Sequence, residues 1–137
     1  MNSRHFLDLY AQRRTDPVIV CNIDSGLAGA IGARVTRVLL SSDTLEKQKA
    51  HHPDIVEDDY LTLRAAILYG EWRRDTPISA VILYIDNHHM RCCVRVAVKS
   101  SGSGKKIFAV SFCRLSDKKH RREMRKPRDI LREHQRI

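Results

Sequence analysis

The chain has 137 residues, of which 42% are hydrophobic and 30% charged. That length fits one domain with a real core, and no apolar run is long enough for a bilayer-spanning helix. A formal net charge of +9 turns attention to polyanionic partners: nucleic acid, an anionic membrane surface or an acidic protein.

Met1 to His5 lead into a polar amphipathic stretch and not into an apolar signal region, so a cytoplasmic location is expected. Phe6, Leu7, Leu9 and Tyr10 predict a short helix, which Asp16-Pro17 stops. Residues 18–21 read as a short buried strand and Asp24-Ser25-Gly26 as a turn or cap. Residues 27–32 read as a short helix or an ordered loop, because Gly26, Gly29 and Gly32 weaken a helix. No Lys-Ser/Thr follows them, so this is not a phosphate-binding glycine loop. A strand is expected at 34–40. Asp43 with Glu46 three residues on then resembles a capping box, starting a helix over 44–52 that ends at Pro53. Lys47 and His51 are four residues apart on it and share a stripe. Glu57-Asp58-Asp59 opens a second helix, with Tyr60, Leu61, Leu63, Ala66, Ile67 and Leu68 as its apolar set and Gly70 as its stop. Residues 72–77 read as a link.

Three consecutive strands are expected at 80–86, 90–99 and 106–114, joined by the turn-type sequences Asn87-His88 and 100–105. Links this short make an antiparallel meander. Matching apolar faces sets a register with Val96 opposite Val110, Arg95 opposite Ser111, Leu83 opposite Cys92 and Tyr84 opposite Arg91. One face is then apolar, with Phe108, Val110 and Phe112 together; the other carries Tyr84, Arg91, Arg95, Lys99 and Ser111. A cationic face bearing a hydroxyl and an aromatic ring suits a phosphodiester. Cys21, Cys92, Cys93 and Cys113 lack a framework spacing and are expected to be reduced, although Cys93 and Cys113 would face each other across the second hairpin. After Arg114, Ser116 can cap a basic helix that Pro127 divides into two pieces. Residues 117–137 hold nine Lys or Arg against four acids, with too few apolar residues for a membrane-inserting helix.

His88, His89, Cys92 and Cys93 do not have zinc spacing, nothing places a base beside Cys93, and there is no paired-carboxylate or nucleophile-elbow pattern. No metal or cofactor is expected. Metal-free RNA cleavage needs an acid and a base, which histidine can supply, and cations for the developing phosphorane charge. The pair His51 and His52 with Lys47 nearby is the candidate set; its plain reading is a solvated helix end.

The run from Val38 to Ile55, with Ser41, Lys47 and His52-Pro53-Asp54, the following Asp59-Tyr60, and then Val98-Lys99 and Val110-Ser111-Phe112, resembles the barnase–EndoU–colicin–RelE (BECR) superfamily of metal-independent ribonucleases. The resemblance covers about 35–114. It implies an α+β fold with N-terminal helices packed on the apolar face of a central antiparallel meander, followed here by a basic C-terminal helix at 115–137. It also implies an imidazole over the cationic face. His52 or His51 would be the acid/base, Lys47 and Lys99 the phosphate-stabilising cations, and Ser111 a phosphate donor. Arg95, Arg91, Tyr84 and Arg114 would bind RNA; the tail cations Lys118, Lys119, Arg121 and Arg122, which have no fixed counterpart in that family, would grip RNA or a partner. The expected function is an endoribonuclease of phage or toxin type that leaves a 2′,3′-cyclic phosphate. Its partners would be RNA, tRNA among the candidates, and an inhibitor or antitoxin protein, with no membrane. The alternative is a non-catalytic nucleic-acid-binding or phage accessory protein with a basic tail.

Overall fold

The computed structural model describes residues 1–54, 57–86 and 92–135. In chain order these form α1 (Ser3–Tyr10), β1 (Val18–Asn22), α2 (Ser25–Ala30), β2 (Arg37–Leu40) and α3 (Ser42–His51). A 3-10 turn at Glu57–Tyr60 leads into α4 (Leu61–Tyr69), β3 (Glu71–Thr76), β4 (Ser79–Asp86), β5 (Cys92–Ser100), β6 (Ile107–Leu115), α5 (Asp117–Arg125) and β7 (Ile130–Arg132). The expected α+β class is the observed one. The seven strands make a single sheet in the order β1-β2-β6-β5-β4-β3-β7. Every pairing is antiparallel except β2 with β6.

Local chemistry sets the helix ends. Orphan N–H groups of a first turn need acceptors, and short polar side chains supply them. Asp24 accepts from Leu27 N–H at 2.8 Å, which starts α2 despite its glycines. The cap is Ser41, two residues before the expected Asp43, and it accepts from Thr44 N–H at 3.2 Å; Asp43 then lies in the first turn of α3, where the macrodipole favours an acid. Ser116 caps α5 through Lys119 N–H at 3.2 Å. Gly70 ends α4 where no side chain fits: an added Cβ would stand 2.6 Å from both the Ala66 carbonyl and Ile82 Cγ2.

Two strands fall where none was expected. β3 replaces the link at 72–77, and β7 replaces the second helical piece after Pro127. In β3 the alternation is masked because one inward position on each face is filled differently. Trp72 enters the core with its indole N–H donating to the Ile67 carbonyl at 2.9 Å. On the other face Arg73 and Glu71 are buried as a pair, 2.9 Å apart, and buried charges persist when paired.

One core lies between the sheet and α1–α4. Phe6, Leu9, Leu45, Tyr60, Leu63, Ile67, Trp72, Ile82, Val96 and Phe112 all belong to it. The Tyr60 ring packs on those of Phe6, Tyr10 and Phe112 at 5.2, 6.1 and 5.6 Å between centroids, spacings at which aromatic pairs are attractive. The opposite face is half covered by α5, which packs on β5 and β6. Among the described residues no helix is long and apolar enough to cross a membrane.

Candidate functional site

Register decides which side chains share a face. β4 pairs with β5 so that Leu83 is opposite Arg95 and Tyr84 opposite Val94, three residues from the expected pairing. The expected two-residue turn at Asn87-His88 caused the error: Asp86 pairs with Cys92, and 87–91 lie outside the described residues. An odd slip inverts the strand, so Tyr84 joins the core side. It is 2% exposed and stacked on His134 at 5.5 Å, which removes it from the expected RNA-binding set. Arg91 lies outside the described residues.

The second hairpin is displaced once and then again. Val98 pairs with Ala109, Ala97 with Ser111, and Val96 with Phe112. The shift between Ala97 and Val98 is a bulge, which sets two residues against one. Val110 and Ser111 both lie opposite Ala97. Before the bulge Ile107 and Ala109 enter the core, so Phe108 turns outward and Val110 is 41% exposed. The expected grouping of Phe108 with Phe112 is thereby corrected. Cys93 faces Leu115 and Cys113 faces Arg95, so the two thiols are not directly opposed.

The outer face therefore keeps Arg95, Lys99 and Ser111 together, as expected, but α5 divides it. Beneath α5, Arg95 Nε lies 3.7 Å from Glu123. Glu123 also meets Arg128 at 2.9 Å and Lys126 at 2.8 Å. Arg73 donates to the Met124 carbonyl at 2.9 Å, supplying one of the donors that the C-terminal end of α5 needs. Beyond α5 the sheet is open, with exposed Lys99, half-buried Phe108 and Ser111, and Val110.

Burial alone would raise the Glu123 carboxyl. The hydrogen bonds from Lys126 and Arg128 and the charge of Arg95 outweigh it and hold the group down at about 2, from an ordinary 4.5. A depressed carboxylate stabilises the fold above its unfolded value, and that contribution is lost as pH falls through the folded one. Acidification from about 4.5 to about 2 is thus expected to loosen α5. Denaturant titrations across that window should show a steep loss in the native chain. Glu123→Gln should start lower and flatten; parallel curves would refute this anchoring.

With Glu123 turned inward, α5 presents cations outward. Lys118, Lys119, Arg121, Arg122 and Arg125 are exposed. Lys118, Arg122 and Arg125 recur at intervals of four and three and share one stripe. None of these five side chains makes a hydrogen bond or ion pair among the described residues. Arg95 and then Lys119 stand close enough to Cys113 of β6 to offset part of the burial that raises that thiol. Other tail arginines are used internally: Arg128 on Glu123, and Arg132 donating to the Ile67 and Gly70 carbonyls at 3.1 and 2.8 Å.

The histidines arrive elsewhere. Leu45 and Gln48 of α3 are buried on the helical side. Gln48 donates to the Phe112 carbonyl and accepts its N–H at 3.2 Å, so α3 runs along the edge of β6 beyond the end of β2. His51 is exposed, and half-buried His52 ends the helix with its N–H on the Gln48 carbonyl at 2.8 Å. Lys47 is exposed. No hydrogen bond joins these three side chains to Lys99 or Ser111 among the described residues. α3 packs with the helical layer through Leu45 and Gln48, and the expected imidazole over the cationic face has no hydrogen bond behind it among the described residues. Arg114 also turns to the helical side and pairs with Asp59.

Sequence reasoning missed Phe108 as an outward aromatic and Arg125 as part of the stripe. The i, i+4, i+7 spacing of Lys118, Arg122 and Arg125 was visible; the bulge that exposes Phe108 was not. Compared with protein-family models, curated proteins and solved structures, the chain matches none.

Proposed function

We propose that this chain is a nucleic-acid-binding protein, with RNA as its partner, that holds the phosphate backbone on the outer face of α5. The observation that carries this reading is the sorting of charge on one short helix. Its acids Asp117 and Glu123 are engaged with the protein, at Cys93 and at Arg95 and Arg128, while five cations point to solvent. Such a face attracts phosphates without reading sequence. The adjoining Phe108 offers a stacking surface for an unpaired base, with Lys99 beside it.

Endonuclease action is the lesser reading, because it needs His51 or His52 to act on a phosphate held at Lys99 and Ser111. One experiment separates the two. Labelled tRNA incubated with the protein in EDTA should stay intact and be retarded. With five phosphate contacts on a single strand, log K should fall against log salt with a slope of about −3.5. Cleavage that disappears in His52→Ala would reinstate the nuclease; salt-insensitive or absent binding would remove both readings.

A further inference from the structure

We propose that a groove on the far side of the sheet from α5 is a binding site for a small phosphate-bearing ligand of about nucleotide size. The groove, about 650 Å³ in volume, lies among the N-terminal part of α1, the edge strand β1 and α4. That volume suits a compact organic ligand.

Its polar chemistry is one-sided. His5, Arg14 and Arg64 line it, and among the described residues no Asp or Glu does. Two asparagines also line it, and each has its oxygen engaged. Asn2 Oδ1 accepts from His5 N–H at 3.1 Å, and Asn22 Oδ1 accepts from the Thr36 hydroxyl at 3.2 Å. What each has left to offer is its NH2, a donor. Arg14 is fixed in place by donating Nε–H to the Asp16 carbonyl at 3.2 Å and Nη2–H to the Pro17 carbonyl at 3.4 Å, which leaves Nη1 for a ligand. Arg64 is exposed and close enough to Cys21 to counter some of the burial that raises that thiol to about 11. Cys21 is therefore a neutral wall and not a competing anion. A concave surface whose polar groups are donors and cations recognises an oxyanion, and guanidinium groups match phosphate best. Pro17, Ile19 and Leu68 supply an apolar side for the rest of the ligand.

The site shares no residue with α5, so it stands or falls independently of the RNA reading. The test titrates the full chain with orthophosphate, a nucleoside monophosphate and the matching nucleoside, following melting temperature and the backbone amide signals of Cys21 and Asn22. The monophosphate should raise the melting temperature and move those signals, while the nucleoside should do neither. Arg64→Glu, an exposed change that spares the core, should weaken binding by roughly tenfold or more, as should Arg14→Gln. The variant K118E/R122E/R125E should leave it unchanged. The proposal is overturned if neither phosphate probe binds, if binding follows the α5 variant and ignores Arg64→Glu, or if only an acidic peptide such as hexaglutamate occupies the groove.

Discussion

The variant K118E/R122E/R125E is expected to lose RNA binding by about 100-fold or more at low salt while melting within about 5 °C of the native chain. Two separable facts lead there. The three side chains make no bond to the described protein, so surface substitutions of this kind fall within about ±0.5 kcal/mol. On the proposed reading each would also be a phosphate contact, whose removal makes the salt slope shallower by about 0.7 for a single strand, about 2 for three. Reversal adds repulsion to that loss. Filter binding of tRNA at several salt concentrations gives both numbers. The informative contrast is Arg128→Ala, which touches the same helix from beneath. Arg128 is engaged with Glu123 at 2.9 Å and lies 3.9 Å from Asp75, so its loss should destabilise the docking of α5 and reduce binding only indirectly. If the triple variant keeps its affinity and slope, the outward stripe is a solvated face and nothing more.

What could be read from the residues divides along the range of the interactions involved. Helix starts depend on partners three residues away, and the short polar caps announce them: Asp24 and Ser116 each hold a first-turn N–H, while at α3 the expected cap Asp43 gives way to Ser41, two residues earlier. The α+β class follows from the same local periodicities. Strand register is not local. It depended on a connection of unknown length after Asp86 and on a bulge at Val110, and those two features sent Tyr84 into the core and Phe108 out of it. β3 was hidden for a related reason. Its charged residues look like a linker until Arg73 and Glu71 are seen to neutralise each other and to hold the end of α5. The tail's charge was visible in composition, but its division was not. Arg128 and Arg132 are structural, while Lys118, Arg122 and Arg125 are presented. Only packing makes that distinction, and the candidate interface depends on it.

Gln48→Leu is expected to destabilise the fold by about 2–4 kcal/mol, a large effect for a change that conserves side-chain volume. β2 ends at Leu40 after pairing with Ile107 and Phe108 of β6, so the next stretch of β6 has no strand on that side. The Gln48 amide takes the strand's place, donating to the Phe112 carbonyl and accepting its N–H at 3.2 Å. It also bonds the Tyr60 phenol, which burial pushes up to about 12. Leucine would fill the space but leave a buried donor and a buried acceptor unmatched, at about 1–3 kcal/mol each. Gln48→Glu isolates the donor half. An introduced carboxylate would face the Phe112 carbonyl oxygen, an unfavourable contact that raises its folded pKa above the unfolded one. Its stability should then approach the native level below the unfolded carboxyl value, where the acid can donate, and fall as pH rises. This is the opposite sense to Glu123, whose contribution is lost on acidification. Denaturant unfolding at acid and neutral pH therefore distinguishes a missing hydrogen bond from a packing defect. A Gln48→Leu variant as stable as the native chain would mean that the amide is not a substitute strand.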